Sequence, residues 1–307
     1  MAITRLWQSG FEHATLNELR LSGQDFPDIT NERSKSGTYC IRFDENHLHS
    51  GAHLGIPATY QFRVGAWWWT SAAAGGQVQA VWSAIPGNWG GYMTDTCPWY
   101  IGRAGSEFYG GNGTMFLYIN NVEVDSAYLA WTPNVWHHIG VDSKIASSDG
   151  WVKVYLDTNL VLSYEGALVD TAPITTLRFC GAGGSVGSND MYCDDVYIDD
   201  TTGEVAPAWL PMRTYKFLPL SGNGSYAGNW TGSDGDKIDN YALINETPLS
   251  ESNYINAVTA DVLESFATTT YTLESGESCE SIIPVVYCNR FGATEQIAVG
   301  ARYAGAD

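Results

Sequence analysis

The sequence is poor in positive charge and lacks long apolar runs. Its 307 residues include 15 Lys and Arg against 34 Asp and Glu, a formal net charge of −19. A surface this acidic repels phosphate groups, so we expect neither free nucleic acid nor anionic lipid as a partner. No run of about 18 apolar residues occurs, so we expect no membrane-spanning helix. The opening segment MAITRLWQSG has no apolar core, so we expect no signal peptide.

Motifs of several enzyme and metal classes are also missing. The sequence contains no Gly-x-Ser-x-Gly and no Walker loop, which argues against a serine hydrolase of that type and against a phosphate-binding loop. The six cysteines form no Cys-x-x-Cys pair, which argues against a zinc ribbon. Reduced thiols are the first interpretation, and Cys180 and Cys193 are the best disulfide candidates, since both fit on facing strands of one hairpin.

The residues that are abundant predict strands joined by tight turns. Only 16% of residues are charged, whereas 13% are aromatic and 33 are glycine. In the segment 59–70, even-numbered residues from Phe62 to Trp68 share one face, with Trp67 and Trp69 on the other. Strand signals recur through residues 38–198 without a helical period, which predicts an antiparallel sandwich.

The clearest hairpin lies in the segment 151–164. We expect Val154 and Leu156 to face the sandwich interior together with Trp136. The turn is predicted at Asp157-Thr158-Asn159, with Asn159 in the left-handed backbone region that a tight turn requires.

The amino-acid composition of the sequence changes near residues 201–207. Beyond this point polar, glycine-rich stretches alternate with short strand signals, such as 215–220 and 282–287. We therefore predict two domains, a β-sandwich over residues 1–203 and a smaller β-rich domain over residues 204–307, with a role in attachment or oligomerisation.

Five motifs carry a family resemblance. They are Gly10-Phe11-Glu12, Ser36–Arg42, Trp136–Val141, Gly150–Asp157 and Tyr192–Asp200. In this order and spacing they resemble concanavalin A-like, laminin-G-type jelly rolls, with Thr158 where that family usually has glycine. The resemblance implies an all-β antiparallel jelly roll over residues 1–203.

Two segments resemble proteins of tailed bacteriophages. The ending Asp199–Gly203 and the segment Asn240–Glu246 are similar to parts of virion structural proteins. This resemblance implies a non-enzymatic virion protein, a capsid decoration or tail appendage made in the host cytoplasm. It would contact the major capsid or tail protein as a homo-oligomer, by analogy a trimer. The alternative is a lectin-like module that binds a host glycan, and a weaker one is an atypical glycoside hydrolase.

The hydrolase alternative depends on one strand. Glucanases with this fold carry Glu-x-Asp-x-x-Glu on one strand face, because nucleophile and acid/base must point into the same cleft. Here Glu123 and Asp125 are present, but Tyr128 stands at the third position. We therefore predict no catalytic residues and no enzyme activity.

The aromatic residues around the glycine-rich loop 86–91 are the candidate ligand-binding site. Exposed rings there could stack on a glycan or contact a protein partner; the alternative is that the strand tryptophans belong to the core. The candidates are Trp82, Trp89, Tyr92, Trp99 and Tyr100.

Acidic residues near one sheet edge make calcium the candidate cofactor. Asp190, Asp194 and Asp195 supply the oxygen ligands that hard cations require, with a solvated acidic face as the alternative. A weaker metal candidate is the histidine group His47, His49 and His53. No other cofactor is expected.

Overall fold

The computed structural model describes most of the first two-thirds of the chain and parts of the last third. The described residues are 4–12, 20–22, 27–43, 51–70, 79–85, 97–104, 114–128, 132, 134–168, 172–181, 191–204, 212–214, 216–245, 252–257 and 263–279. Among them, no helix is long and apolar enough to cross a membrane.

Up to Asp200, the secondary-structure elements of the described residues are all strands. These are β1 (Thr4–Ser9), β2 (Arg20–Ser22), β3 (Asp28–Thr30), β4 (Cys40–Phe43), β5 (Gly51–Thr59), β6 (Gln61–Thr70), β7 (Gln79–Ile85), β8 (Trp99–Ala104), β9 (Thr114–Ile119), β10 (Val122–Tyr128), β11 (His137–Lys144), β12 (Gly150–Leu156), β13 (Asn159–Gly166), β14 (Ile174–Gly181) and β15 (Met191–Asp200). Later elements are β16 (Leu220–Asn223), β17 (Thr231–Gly232), α1 (Asn240–Ile244), β18 (Ile255–Asn256) and β19 (Phe266–Thr268).

Two antiparallel sheets make up the sandwich. One is eight-stranded, in the order β13-β12-β11-β6-β15-β4-β3 with β1 also paired to β15. The other is seven-stranded, in the order β10-β9-β8-β7-β14-β5-β2. The crossovers place sequence neighbours in opposite sheets, as in a jelly roll. The predicted all-β antiparallel jelly-roll fold is therefore confirmed.

The core contains tryptophans from both sheets. Trp68 of β6 packs edge-on against Trp82 of β7, with ring centroids 5.7 Å apart. Trp99 of β8 stacks on Phe62 of β6 at 6.0 Å, and its Nε1 donates a hydrogen bond of 2.9 Å to Ser143 Oγ. The predicted inner face of residues 62–68 is thus confirmed, and a polar contact joins the sheets within the apolar interior.

The hairpin β12–β13 forms as predicted, but its turn differs by one position. Val154 and Leu156 belong to the main core. Positive φ occurs at Asp157 (46°) and Thr158 (77°), whereas Asn159 already belongs to β13. Two consecutive positive φ values are typical of a type I′ turn, which suits the twist of a two-residue hairpin. The prediction that Asn159 takes the left-handed conformation was wrong.

Trp136 corrects a second prediction. It precedes β11 and packs, partly buried, against Cys40, Trp69 and Tyr192 on the outer face of the eight-stranded sheet. The reason is strand alternation: Ile139 points into the core, so Trp136, three residues earlier, shares the outer face with His138.

The proposed hairpin for Cys180 and Cys193 does not exist. Cys180 lies on β14 of the seven-stranded sheet and Cys193 on β15 of the eight-stranded sheet. The two strands follow each other in sequence but pair with different partners, so the premise for a disulfide between them was wrong.

The elements after residue 204 pair among themselves. β16 pairs with β19, and β17 pairs with β18. The Glu264 carboxylate organises the loop before α1 by accepting hydrogen bonds from the backbone amides of Gly228, Asn229 and Trp230. The domain boundary itself stays a prediction.

Candidate ligand-binding face of the seven-stranded sheet

One line of paired residues crosses the whole seven-stranded sheet. Its members, in order from β2 to β10, are Arg20, His53, Arg178, Ser83, Tyr100, Tyr118 and Glu123. We call this line the cross-sheet row. With strands about 4.8 Å apart, the row spans roughly 29 Å, the length of several sugar units.

From His53 to Glu123, the row lies on the outer face of the sheet. The residues next to it along the strands, among them Leu54, Leu177, Ala84 and Trp99, are buried in the main core. Because side chains alternate along a strand, residues between these core positions point away from the core.

Exposure changes along the row. His53, Arg178 and Ser83 are 4%, 6% and 1% exposed. Tyr100 and Tyr118 are half-buried, and Glu123 is exposed. A ligand in solution can therefore reach the end formed by Tyr100, Tyr118 and Glu123, which we call the exposed end.

Tyr100 and Tyr118 hold each other in place. Their rings are parallel within 8° and their centroids lie 4.4 Å apart. Phe116, which is 1% exposed, contacts Tyr118 at 6.3 Å between centroids. Burial raises the pKa of Tyr100, and Tyr118, Cys97 and Glu123 raise it further. The Tyr100 hydroxyl therefore stays protonated and can donate and accept hydrogen bonds.

Cys97 lies beside the middle of the row. It is 3% exposed, and burial raises the pKa of its thiol to about 11, although the Arg178 charge and the Ser83 hydroxyl act in the opposite direction. A thiol with this pKa stays protonated near neutral pH, so Cys97 is not an activated nucleophile.

The two acidic residues of the Glu123-Val124-Asp125 motif do not share a face. The register of β10 against β9 shifts between them, so that Glu123 is paired with Tyr118 and Asp125 with the core residue Leu117. Asp125 Oδ2 instead accepts a hydrogen bond of 2.9 Å from the Ser163 amide on β13 of the opposite sheet. A β-bulge therefore separates the carboxylates that a glycosidase would need together.

The predicted ligand-binding aromatics divide into three groups. Trp82 and Trp99 are 0% exposed and packed inside the sandwich, which corrects their assignment as ligand-binding residues and bears out the core alternative. Tyr100 lies at the exposed end of the row. Trp89 and Tyr92 lie outside the described residues.

The predicted calcium ligands occupy a structural position. Asp194 Oδ2 accepts hydrogen bonds from the Lys35 and Ser36 amides at 2.7 and 3.2 Å, and Ser36 Oγ donates to Asp195 Oδ1 at 2.6 Å. Burial raises the pKa of Asp194, and the Asp195 charge raises it further. These carboxylates anchor the loop 31–39.

The calcium proposal also needs residues that the structure leaves undescribed. Asp190, His47 and His49 lie outside the described residues, and His53 is buried in the row. Within the described ranges no group of three or more acidic, histidine or cysteine side chains is placed to hold a metal ion. Calcium binding stays a prediction.

The outer face of the eight-stranded sheet is covered by cationic side chains of the same chain. They lie over its aromatic rings: Arg33 over Trp69 at 3.9 Å, Lys35 over Trp67 at 3.9 Å, Lys144 over Trp151 at 5.1 Å, and Arg5 and Arg213 over Tyr197 at 5.4 and 4.4 Å. Such contacts stabilise a cation on a ring face. We call this surface the covered face.

A buried carboxylate ties two of these cations together. Asp199 is fully buried and accepts hydrogen bonds from Arg5 on one oxygen and Arg213 on the other. The Trp67 indole also donates to the Arg213 carbonyl at 2.7 Å. The segment 212–214, beyond the last strand of the sandwich, is thereby fastened to the covered face.

His138 lies beneath this fastening. It is 0% exposed, with its ring 5.4 Å from Trp67 and 5.9 Å from Tyr197. Burial lowers its pKa to about 4, with an opposing contribution from Asp157 and a smaller lowering by Arg213. His138 is therefore neutral at physiological pH, and the fold accounts for it without a catalytic role.

Most of the row escaped the sequence analysis because its members come from distant strands. Of its members, the sequence indicated Tyr100 as a ligand-binding residue, His53 as a weak metal candidate and Glu123 as part of an incomplete glucanase motif. A usable signal exists at Arg178, since a charged residue between the core residues Leu177 and Phe179 indicates the outer face of a strand. Pairing across seven strands, however, depends on register, which sequence patterns leave open.

No family model matches the chain, and no curated protein does. Among solved structures, it is similar to the cellulose-induced protein Cip1, with 14% identity, 64% of this chain and 97% of that chain covered, and a TM-score of 0.48. It is also similar to domain 4 of AbnA, a GH43 extracellular arabinanase from Geobacillus stearothermophilus solved with arabinotriose, with 13% identity, coverages of 65% and 94%, and a TM-score of 0.44.

A third similar structure is the carbohydrate recognition domain of Emp47p, with 10% identity, coverages of 64% and 94%, and a TM-score of 0.41. Other matched chains are longer; the match spans 43% of the binding domain of botulinum neurotoxin serotype D/C and 19% of a sialidase. Likeness at this level is one of fold.

Proposed function

We propose that the protein binds carbohydrate, without catalysis, at the exposed end of the cross-sheet row. The observation that carries this proposal is a rigid, half-exposed tyrosine pair with an exposed carboxylate at the adjacent row position. The outer face of a sheet can present such a row to an extended ligand.

The chemistry of the three side chains suits a sugar. A pyranose ring combines apolar C–H faces with hydroxyl groups, and a tyrosine combines an apolar ring with a polar tip. A carboxylate accepts hydrogen bonds from two neighbouring hydroxyls. Because stacking fixes Tyr100 and Tyr118, little side-chain entropy is lost when a ligand binds.

Among the residues that the structure describes, no second acid accompanies Glu123 on this face, which supports a binding role over hydrolysis. Glycosidases use two carboxyl groups about 5–9.5 Å apart, flanking the scissile bond. In the exposed end Glu123 is the acid, while Asp125 is turned towards the opposite sheet and hydrogen-bonded there. We therefore propose that the protein is not a glycosidase.

Glycan binding, the alternative drawn from the sequence, thus becomes the main function that we propose, in place of the virion role. Two of the similar structures are, by their names, an arabinanase domain in complex with arabinotriose and a carbohydrate recognition domain. These names describe those two proteins only. None of the similar structures named above is a virion protein by name. The virion role, with its capsid or tail partners, oligomeric state and location, stays a prediction from sequence.

Binding of the full chain to immobilised polysaccharides tests the proposal. We expect Tyr118→Ala to weaken binding at least tenfold, because the aromatic ring on which a sugar would pack is lost. Tyr118→Phe keeps the ring and should weaken binding less. Tyr254→Ala is the matched control, since Tyr254 is 53% exposed but lies after the sandwich. The proposal fails if no polysaccharide binds, or if the two alanine variants bind equally well.

A further inference from the structure

We infer that the exposed end selects uncharged glycans and that Glu123 is the residue that rejects anionic ones. This inference rests on the proposed carbohydrate binding and adds the class of ligand. It follows from how charge and exposure are arranged along the cross-sheet row.

The row has opposite charges towards its two ends. Arg178 lies towards one end and Glu123 lies at the other. If all members were accessible, the row would offer an arginine to a sugar carboxylate or sulfate, the pairing that guanidinium groups favour. The sequence of row residues alone therefore leaves the charge of the ligand open.

Burial decides between the two ends. His53 and Arg178 are 4% and 6% exposed, whereas Glu123 is exposed. Among the described side chains, the charged group that a ligand meets at the tyrosine pair is therefore negative. Asp125, two residues on, is half-buried and hydrogen-bonded to β13, so its negative charge is directed away from this end.

Distance makes this charge effective. Glu123 is paired with Tyr118 across one strand spacing, about 5 Å. A negative ligand charge at a similar distance from the Glu123 carboxylate would weaken binding about fourfold in bulk water and roughly 250-fold at the effective dielectric near a protein surface. A neutral glycan avoids this repulsion and gains hydrogen bonds from its hydroxyls to the carboxylate.

The net charge of the chain acts in the same direction but less locally. A formal charge of −19 disfavours the approach of any polyanion, and salt screens this effect over about 10 Å at 0.1 M. A test must therefore separate the contribution of Glu123 from that of total charge.

The experiment uses polysaccharide pairs that share a backbone and differ in charge. Laminarin, arabinan and dextran would each be compared with a partly carboxymethylated sample of the same polymer, by affinity electrophoresis with the full chain. We expect the neutral member of whichever pair binds to be held at least tenfold more tightly. Glu123→Gln should reduce this ratio several-fold, because the neutral polymer loses hydrogen bonds to the carboxylate while the carboxymethylated polymer is no longer repelled.

Glu165→Gln is the matched control. Glu165 is an exposed carboxylate on β13 that lies beside Lys153, so its removal changes the net charge equally but away from the row. The inference is overturned if the carboxymethylated polymer binds as tightly as the neutral one, or if both variants change the ratio alike. If no member of any pair binds, the proposed function itself fails, and the selectivity falls with it.

Discussion

The two outer faces of the sandwich differ in how far their aromatic side chains are exposed to solvent. On the covered face, Trp67 and Trp69 lie under Lys35 and Arg33, and both rings are less than a tenth exposed. On the face of the seven-stranded sheet, Tyr100 and Tyr118 stack on each other and remain half-exposed. One face is closed by the chain's own cations, while the other offers rings to solvent.

The difference is informative because cations are scarce. The chain has 15 Lys and Arg in total, and Arg5, Arg33, Lys35, Lys144 and Arg213 all lie over rings of the covered face. Substitutions on the covered face should therefore affect stability, and substitutions at the exposed end should affect binding. Four measurements of unfolding would sharpen or break this contrast.

The largest effect is expected at Asp199. Asp199→Asn leaves Arg5 and Arg213 without their shared carboxylate in a buried site, so the free energy of unfolding should fall by about 3–5 kcal/mol. Urea denaturation measures it, with Asp200→Asn as control because that half-buried carboxylate bonds locally to the Thr202 amide. Equal losses in the two variants would contradict the assignment of Asp199 as the fastening point.

His138 should govern part of the acid sensitivity of the covered face. Its pKa is lowered from 6.5 to about 4 in the fold, so below pH 6.5 the unfolded state binds the proton more readily and stability falls. This group alone should cost roughly 3 kcal/mol between pH 7 and pH 4. His138→Phe should remove that loss, as unfolding curves at several pH values would show; parallel pH profiles for both proteins would refute it.

A smaller effect is expected at Arg33. Its guanidinium lies 3.9 Å from the Trp69 ring centroid at an exposed position, where a cation–π contact contributes about 0.5–1 kcal/mol. Arg33→Met keeps much of the apolar stem and removes the charge, so it should destabilise by about that amount. A variant as stable as the parent would show that charge does not close this face.

The smallest effect on stability is expected at the exposed end. Tyr118→Phe keeps the ring stack with Tyr100 and removes one half-buried hydroxyl, so unfolding should change by less than about 0.5 kcal/mol. Thermal unfolding of the variant provides the check. A loss as large as that of Arg33→Met would mean that both faces serve stability.

Local patterns predicted much of the fold. The inward and outward positions predicted for residues 62–68 and for the hairpin around Val154 were correct. Successive side chains of a strand point to opposite faces, and only one face packs against the core. Trp136 was misplaced because it lies three residues from the core residue Ile139, and strand alternation directs it to the opposite face. The Glu123–Asp125 pair was judged incomplete because Tyr128 stands at the third position, and the absence of activity stays a prediction. The β-bulge that separates the two carboxylates has no mark in the sequence.

The candidate site was harder to predict than the fold. Tyr100 was selected because it lies near a glycine-rich loop. Its partner Tyr118 comes from the next strand, and nothing in the sequence distinguished it from the other residues of that strand. Arg178 and Ser83 join them only through strand order in a seven-stranded sheet. Such long-range pairing depends on the whole set of strands, so a local pattern does not contain it.

The hydrogen bond from Trp99 to Ser143 has a use in nuclear magnetic resonance. Its indole proton is enclosed between the two sheets, so exchange with deuterated solvent requires the sheets to separate. The next residue, Tyr100, points to the opposite side, at the exposed end. In one sample, the slow decay of the Trp99 indole signal would report opening of the sandwich, while shifts of the Tyr100 ring signals would report a ligand.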